Sequence, residues 1–199
     1  MTKKFIGGEI MDFINQSGVF EKVNDILNLI NIEDDKMVDT EDIRKAVQKL
    51  SNCKINISSL PFNKALGNDF SNFGAITSLH NVKDNTYRII INSEKDMIYQ
   101  RFSLIHEFGH IVLNAHNFKE GKFVLSTHID YDLNHIDDIM EYKDTAIKNE
   151  ELANIFALCV LLPEKNVKES ILKRGVEETA LIYGVSQNAV FSRLMLLNN

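Results

Sequence analysis

Residues 101–110, Arg101-Phe-Ser-Leu-Ile-His-Glu-Phe-Gly-His110, sit inside a longer periodic stretch from Asp96 to Ala115, and their reading decides the fold. Phe102, Ile105, Phe108 and Val112 recur at three- and four-residue spacing, and so do Leu104, Phe108, Ile111 and Ala115. A helix apolar on more than one side is expected to be central and buried. Into it the chain sets His106, Glu107 and His110 with the spacing H-E-x-x-H. Four residues advance an α-helix by about one turn, so both imidazoles leave one face and can share a metal ion. Glu107 stands beside that face, placed to take a proton from water. Three such groups in an apolar helix are costly unless something pairs with them, and a divalent cation does so.

A catalytic zinc commonly has three protein ligands and one water, so a third ligand is expected downstream. A second apolar helix is predicted over about Ala146 to Leu162, and its beginning reads Glu150-Glu-Leu-Ala-Asn154. Glu150 and Asn154 lie one turn apart on one face. Glu150 is therefore the expected ligand, and Asn154 the group that hydrogen-bonds a ligand imidazole from behind. Glu151, about 100° around the helix, competes with Glu150. His116 and His128 are the alternatives from other segments.

Outward from this pair the pattern changes. Residues 9–31 and 39–51 read as helices, with Asp39 or Thr40 as the N-cap of the second. Lys54 to Ser58, Phe73 to Leu79 and Thr86 to Ile91 read as strands, the last two joined in a hairpin by Lys83-Asp-Asn85. Gly74 marks the Phe73–Leu79 strand as the expected edge for an extended substrate, since glycine permits close backbone approach. Residues 117–145 read as a loop-rich insertion with one strand near Lys122 to Ser126. Helices follow near 164–174, 177–183 and 187–197, separated by Gly175 and Gly184, with Ser186 as a cap. The expected class is α+β: a central helix under a small mixed or antiparallel sheet, with additional helices at both ends.

Composition narrows the function. The chain has 199 residues, 44% hydrophobic and 25% charged, in the range of a folded domain rather than a disordered one. Its net charge of −6 is matched by the stretch from Asp130 to Glu151, where eight acids face Lys143 and Lys148. Without a basic stripe, direct nucleic-acid binding is not expected. The longest apolar run, Ile155 to Leu162, stops at Pro163, short of the roughly 18 residues of a membrane span. Residues 1–9 carry no apolar leader segment. Cys53 and Cys159 match neither a disulfide framework nor a metal spacing, which fits a reducing compartment. The expected location is cytoplasmic.

Three ordered blocks now resemble a known family. They are Arg101 to His110, Glu150-Glu-Leu-Ala-Asn-Ile-Phe-Ala-Leu-Cys-Val-Leu-Leu-Pro163, and Tyr183-Gly-Val-Ser-Gln-Asn-Ala-Val-Phe-Ser-Arg-Leu194, which are similar to those of the ImmA/IrrE metallopeptidases. The resemblance spans about residues 53–197. It implies a zincin-like core and a zinc-dependent endopeptidase of bacteria and mobile elements, whose protein substrate is typically a helix-turn-helix repressor. Residue by residue, it implies His106, His110 and Glu150 as zinc (Zn2+) ligands, Glu107 as general base, and Asn154 as the residue one turn after the third ligand. Leu152 and Asn114 depart from the family, which often has an acid and a histidine there. On this reading residues 51–199 form the zincin-like domain and 1–50 an N-terminal helical extension.

Two rival readings stand beside this one. Residues 177–197 resemble a helix-turn-helix, which would make a DNA-binding regulator. Against it, 164–199 hold five basic and four acidic residues, with Arg193 the one base on the second helix, and Val185, Ala189, Val190, Leu194 and Leu197 read as a core stripe. The other rival is a zinc protein that acts by contact, as a regulator or toxin component, without cleaving anything. Oxyanion stabilisers are expected among Tyr99, Tyr131, Tyr142, His116, His128 and Arg101, with Arg101 expected in a structural ion pair.

Overall fold

The computed structural model describes residues 14–30, 32, 36–67, 70–113, 123–124 and 140–198, with backbone alone at 123–124 and 140–147. Helices α1 (Val19–Leu29) and α2 (Thr40–Leu50) come first. The expected single helix over 9–31 is interrupted at Ser17–Gly18, where Gly18 takes a left-handed conformation (φ 72°) that starts α1 afresh. Asp39 caps α2, accepting from the backbone N–H groups of Glu41 and Asp42. Strand β1 (Lys54–Leu60) leads through the short helix α3 (Phe62–Ala65) to the hairpin of β2 (Ala75–Asn81) and β3 (Thr86–Asn92).

The sheet is mixed, in the order β1-β3-β2-β4. β3 returns from its hairpin to pair in parallel with β1 and antiparallel with β2. β4 (Phe123–Val124) pairs antiparallel with β2 at Thr77 and Ser78. This corrects the expectation that β2 is the edge: at those two residues its outer hydrogen-bonding side is taken by β4. Alternation along β3 sorts its side chains, with Tyr87, Ile89 and Ile91 in the main core. Ile90 joins Ile76 and Phe62 in a smaller cluster on the other side.

The main core is built on α4 (Met97–Val112), capped by Asp96, and α5 (Met140–Leu161). α5 begins about six residues before the expected start, because a run rich in Asp and Glu is compatible with a helix N-terminus, whose dipole favours acids. Ile14 just before α1, Val23 and Ile26 within it, Ile43 and Val47 of α2, and Ile105, Phe108 and Phe156 belong to one continuous cluster. The expected break at Gly175 is present: its non-helical φ 84°, ψ 177° makes α6 (Glu164–Tyr183) two helices joined across a kink, and α7 (Gln187–Leu197) starts at the Ser186 cap.

Two polar residues, whose contacts sequence reasoning did not foresee, position the start of β2 and of α4. Asn92 is fully buried; its side chain accepts from Phe62 N (3.3 Å) and Glu94 N (3.1 Å) and donates to Phe73 O (2.9 Å). Among the described residues Arg101 makes no ion pair. Its guanidinium donates instead to the carbonyls of Tyr183 (2.8 Å), Gly184 (3.2 Å) and Val38 (2.7 Å). The end of α6 leaves the Tyr183 and Gly184 carbonyls without helical partners, and the half-buried fork of donors satisfies them together with Val38 O, just before α2. Burial lowers the Arg101 pKa to about 10, against the opposing pull of Asp39.

Candidate metal centre

Backbone periodicity puts His106 and His110 on one face of α4, and their Nε2 atoms lie 2.9 Å apart, with rings edge to face. The Glu150 carboxylate closes the group, 3.2 Å from His106 Nε2 and 3.3 Å from His110 Nε2. Both histidines and Glu150 are buried. Close approach of α4 and α5 makes the third contact possible, and Gly109 permits it. A Cβ at that position would lie 3.1 Å from Ala153 Cα and from Phe156 Cδ1, tighter than ordinary packing.

Asn154, one turn along α5, places its Oδ1 2.8 Å from His106 Nδ1. An amide oxygen only accepts, so the imidazole donates from Nδ1 and presents the lone pair of Nε2 to the centre. Glu151, the competing acid, is half-buried on another side of the helix and is not among the converging groups. His116, His128, His135 and Tyr131 lie outside the described residues, as does the side chain of Tyr142. Of the remaining oxyanion candidates, Arg101 is spent on carbonyls and the Tyr99 hydroxyl reaches Asn72 O at 3.4 Å. Neither stands in the cluster.

The donor set fits a small divalent cation. Nitrogen and oxygen ligands about 2.0–2.2 Å from a tetrahedral zinc lie roughly 3.3–3.5 Å from one another. The three spacings here are 2.9, 3.2 and 3.3 Å. His106, His110 and Glu150 all bring a ligand atom within 4.8 Å of the others. Electrostatics agree with that set. Burial opposes the charged form of His106, but hydrogen bonding to Glu150 and the nearby Glu107 outweigh it, so its pKa is raised. In His110 burial wins, aided by the neighbouring His106, and the pKa is lowered. The two shifts run in opposite directions, so without a cation a proton favours His106 over His110.

Glu107 is buried beside this cluster. It lines a cavity of about 10 Å3 with Phe73, Gly74, Ala75, Phe102, Ser103 and His106, room for about one water. Gly74 answers to α4, not to a substrate strand. A Cβ built there would collide with Ser103 Oγ and come within 2.5 Å of the Tyr99 ring. The expectation that its missing side chain admits a peptide is thus corrected: the space is occupied by α4.

The C-terminal helices differ from a DNA reader at one telling residue. Arg193, the single base of α7, is 6% exposed and donates through Nε to Leu162 O at 3.0 Å. Val185, Ala189 and Val190 are buried around it. Among the described residues no helix is long and apolar enough to cross a membrane.

A mixed sheet over a buried helix that aims two histidines at a glutamate from a second helix defines a zincin-like α+β protein with a site that could hold a metal. The chain belongs to the Peptidase_M78 family: the model of the IrrE N-terminal-like domain matches residues 53–195, which contain the whole cluster. Membership points to metallopeptidase chemistry. No curated protein matches the sequence.

Proposed function

We propose that the protein is a cytoplasmic zinc-dependent endopeptidase of a bacterial stress or mobile-element circuit, with a helix-turn-helix repressor as its protein substrate. The observation that carries this reading is the convergence of His106, His110 and Glu150, with Glu107 next to the first of them on the same helix. Zinc at that position supplies a Lewis acid that polarises a peptide carbonyl and acidifies water. The chain's own groups do the rest. His106, His110 and Glu150 hold the ion, and Asn154 fixes the His106 ring so that Nε2 faces it. Glu107 takes the proton of the attacking water and hands it to the leaving amine nitrogen as the peptide C–N bond breaks. The buried position of Glu107 keeps bulk water from competing for that proton.

Glu107→Gln separates this reading from a zinc protein that acts by contact. The variant is expected to keep its fold and its zinc, measured by elemental analysis, and to lose cleavage of a helix-turn-helix repressor encoded beside it. Cleavage by Glu107→Gln at the wild-type rate would remove Glu107 from the mechanism. Wild-type protein that holds zinc and leaves every such repressor intact would favour the contact reading.

A further inference from the structure

A second cavity, between α1, α5 and α7, shares no residue with the metal centre. It encloses about 290 Å3, and Phe20, Val23, Leu27, Leu196 and Leu197 give it apolar walls. Arg193 stands in its lining, although only 6% of the residue is exposed. A guanidinium carries five N–H donors. The one on Nε is used on Leu162 O, just past the end of α5, while the four on the terminal nitrogens meet no protein acceptor among the described residues. Those donors are not sealed off in the protein but open onto the cavity, where a group that accepts from them can sit.

Glu164, also on the cavity, is not that group. Its carboxylate accepts from Lys168 Nζ at 2.6 Å, and that bond holds its pKa below the ordinary carboxylate value. Glu164 also feels the charge of Arg193, but its carboxylate makes no hydrogen bond to the guanidinium, whose terminal N–H groups stay open to a ligand. A planar guanidinium matches a carboxylate with two parallel hydrogen bonds, and the walls call for a hydrocarbon body behind it.

We propose that this cavity binds a small amphipathic monocarboxylate, its two oxygens on the terminal nitrogens of Arg193 and its aliphatic chain against α1 and α7. The site stands apart from the peptidase reading and survives or fails without it. Occupancy would join α1 to α5, the helix that also carries Glu150.

Calorimetric titration of the full-length protein with octanoate tests this, with octan-1-ol as the uncharged comparator. Octanoate is expected to bind one per chain, at least tenfold tighter than the alcohol. Arg193→Gln should weaken octanoate at least tenfold and leave the alcohol within twofold, in protein whose circular dichroism matches wild type. Leu27→Trp, which fills the cavity from its half-buried wall, should weaken both ligands and carries the test if Arg193→Gln does not fold. Octanoate binding no tighter than octan-1-ol in wild type, or unchanged by Leu27→Trp, overturns the proposal.

Discussion

Replacing Glu150 with Gln, and titrating zinc into both proteins, probes the centre without any substrate. The three donor spacings of 2.9, 3.2 and 3.3 Å need to change by only a few tenths of an ångström to meet the roughly 3.3–3.5 Å of a tetrahedral zinc site. Little binding energy is then lost to rearrangement, and the unfolded chain offers no comparable site. At a free zinc concentration a hundred times Kd, linkage adds about 2.7 kcal/mol to stability. For a domain of this size each kcal/mol moves Tm by about 2–4 °C, so the wild type should gain about 5–11 °C by scanning calorimetry. Glu150→Gln at the same zinc concentration should lose nearly all of that gain. Asn154→Ala, which frees the His106 ring, should weaken zinc about 10- to 100-fold and lose between roughly half and about 85% of the gain. Glu151→Gln should keep the full shift. A zinc-induced shift that survives Glu150→Gln, or one that vanishes with Glu151→Gln, refutes the reasoning.

Gly74→Ala should destabilise the protein by about 3 kcal/mol, because the new Cβ has to displace Ser103, whose Cβ lies 2.7 Å from that position on a packed helix. Adding Ser103→Gly should return part of the loss in a double-mutant cycle, and a Gly74→Ala protein within 0.5 kcal/mol of wild type, the usual range of a neutral surface change, would show that α4 yields there. Burial pushes the Cys53 thiol from 9.0 up to about 11, so at pH 8 its reactive thiolate is about 100-fold scarcer than in the unfolded chain. Labelling by a disulfide reagent at pH 8 should be slow in native protein and fast in urea. The same shift gives the sign for stability: a folded pKa above the unfolded one contributes fully below pH 9 and fades as pH climbs through about 11. Native labelling as fast as in urea would contradict the burial of Cys53.

The legible parts of this protein were the local ones. The start of α4 at about Asp96, its course and the shared face of its two histidines all follow from neighbours within one or two helical turns. Asp39 and Ser186 were readable as caps for the same reason. What sequence reasoning missed was long-range. Asn92 looks like any asparagine after a strand, and only contacts with Phe62 and Phe73, thirty and nineteen residues away, make it a hub. Arg101 was placed in an ion pair because charge is visible in a sequence; the three carbonyls it serves are not. A strand near Lys122 to Ser126 was legible, but β2 was read as an edge because nothing in so short a pattern says which strand it pairs with.

By itself the sequence determined that two imidazoles and a carboxylate share one helix, since a helix of known pitch turns spacing into direction. Only the tertiary structure decided which downstream carboxylate meets them, because that depends on how α5 is rotated and how near it comes. The contact of Gly109 with Ala153 and Phe156 sets both, bringing residues more than forty positions apart into the same buried volume.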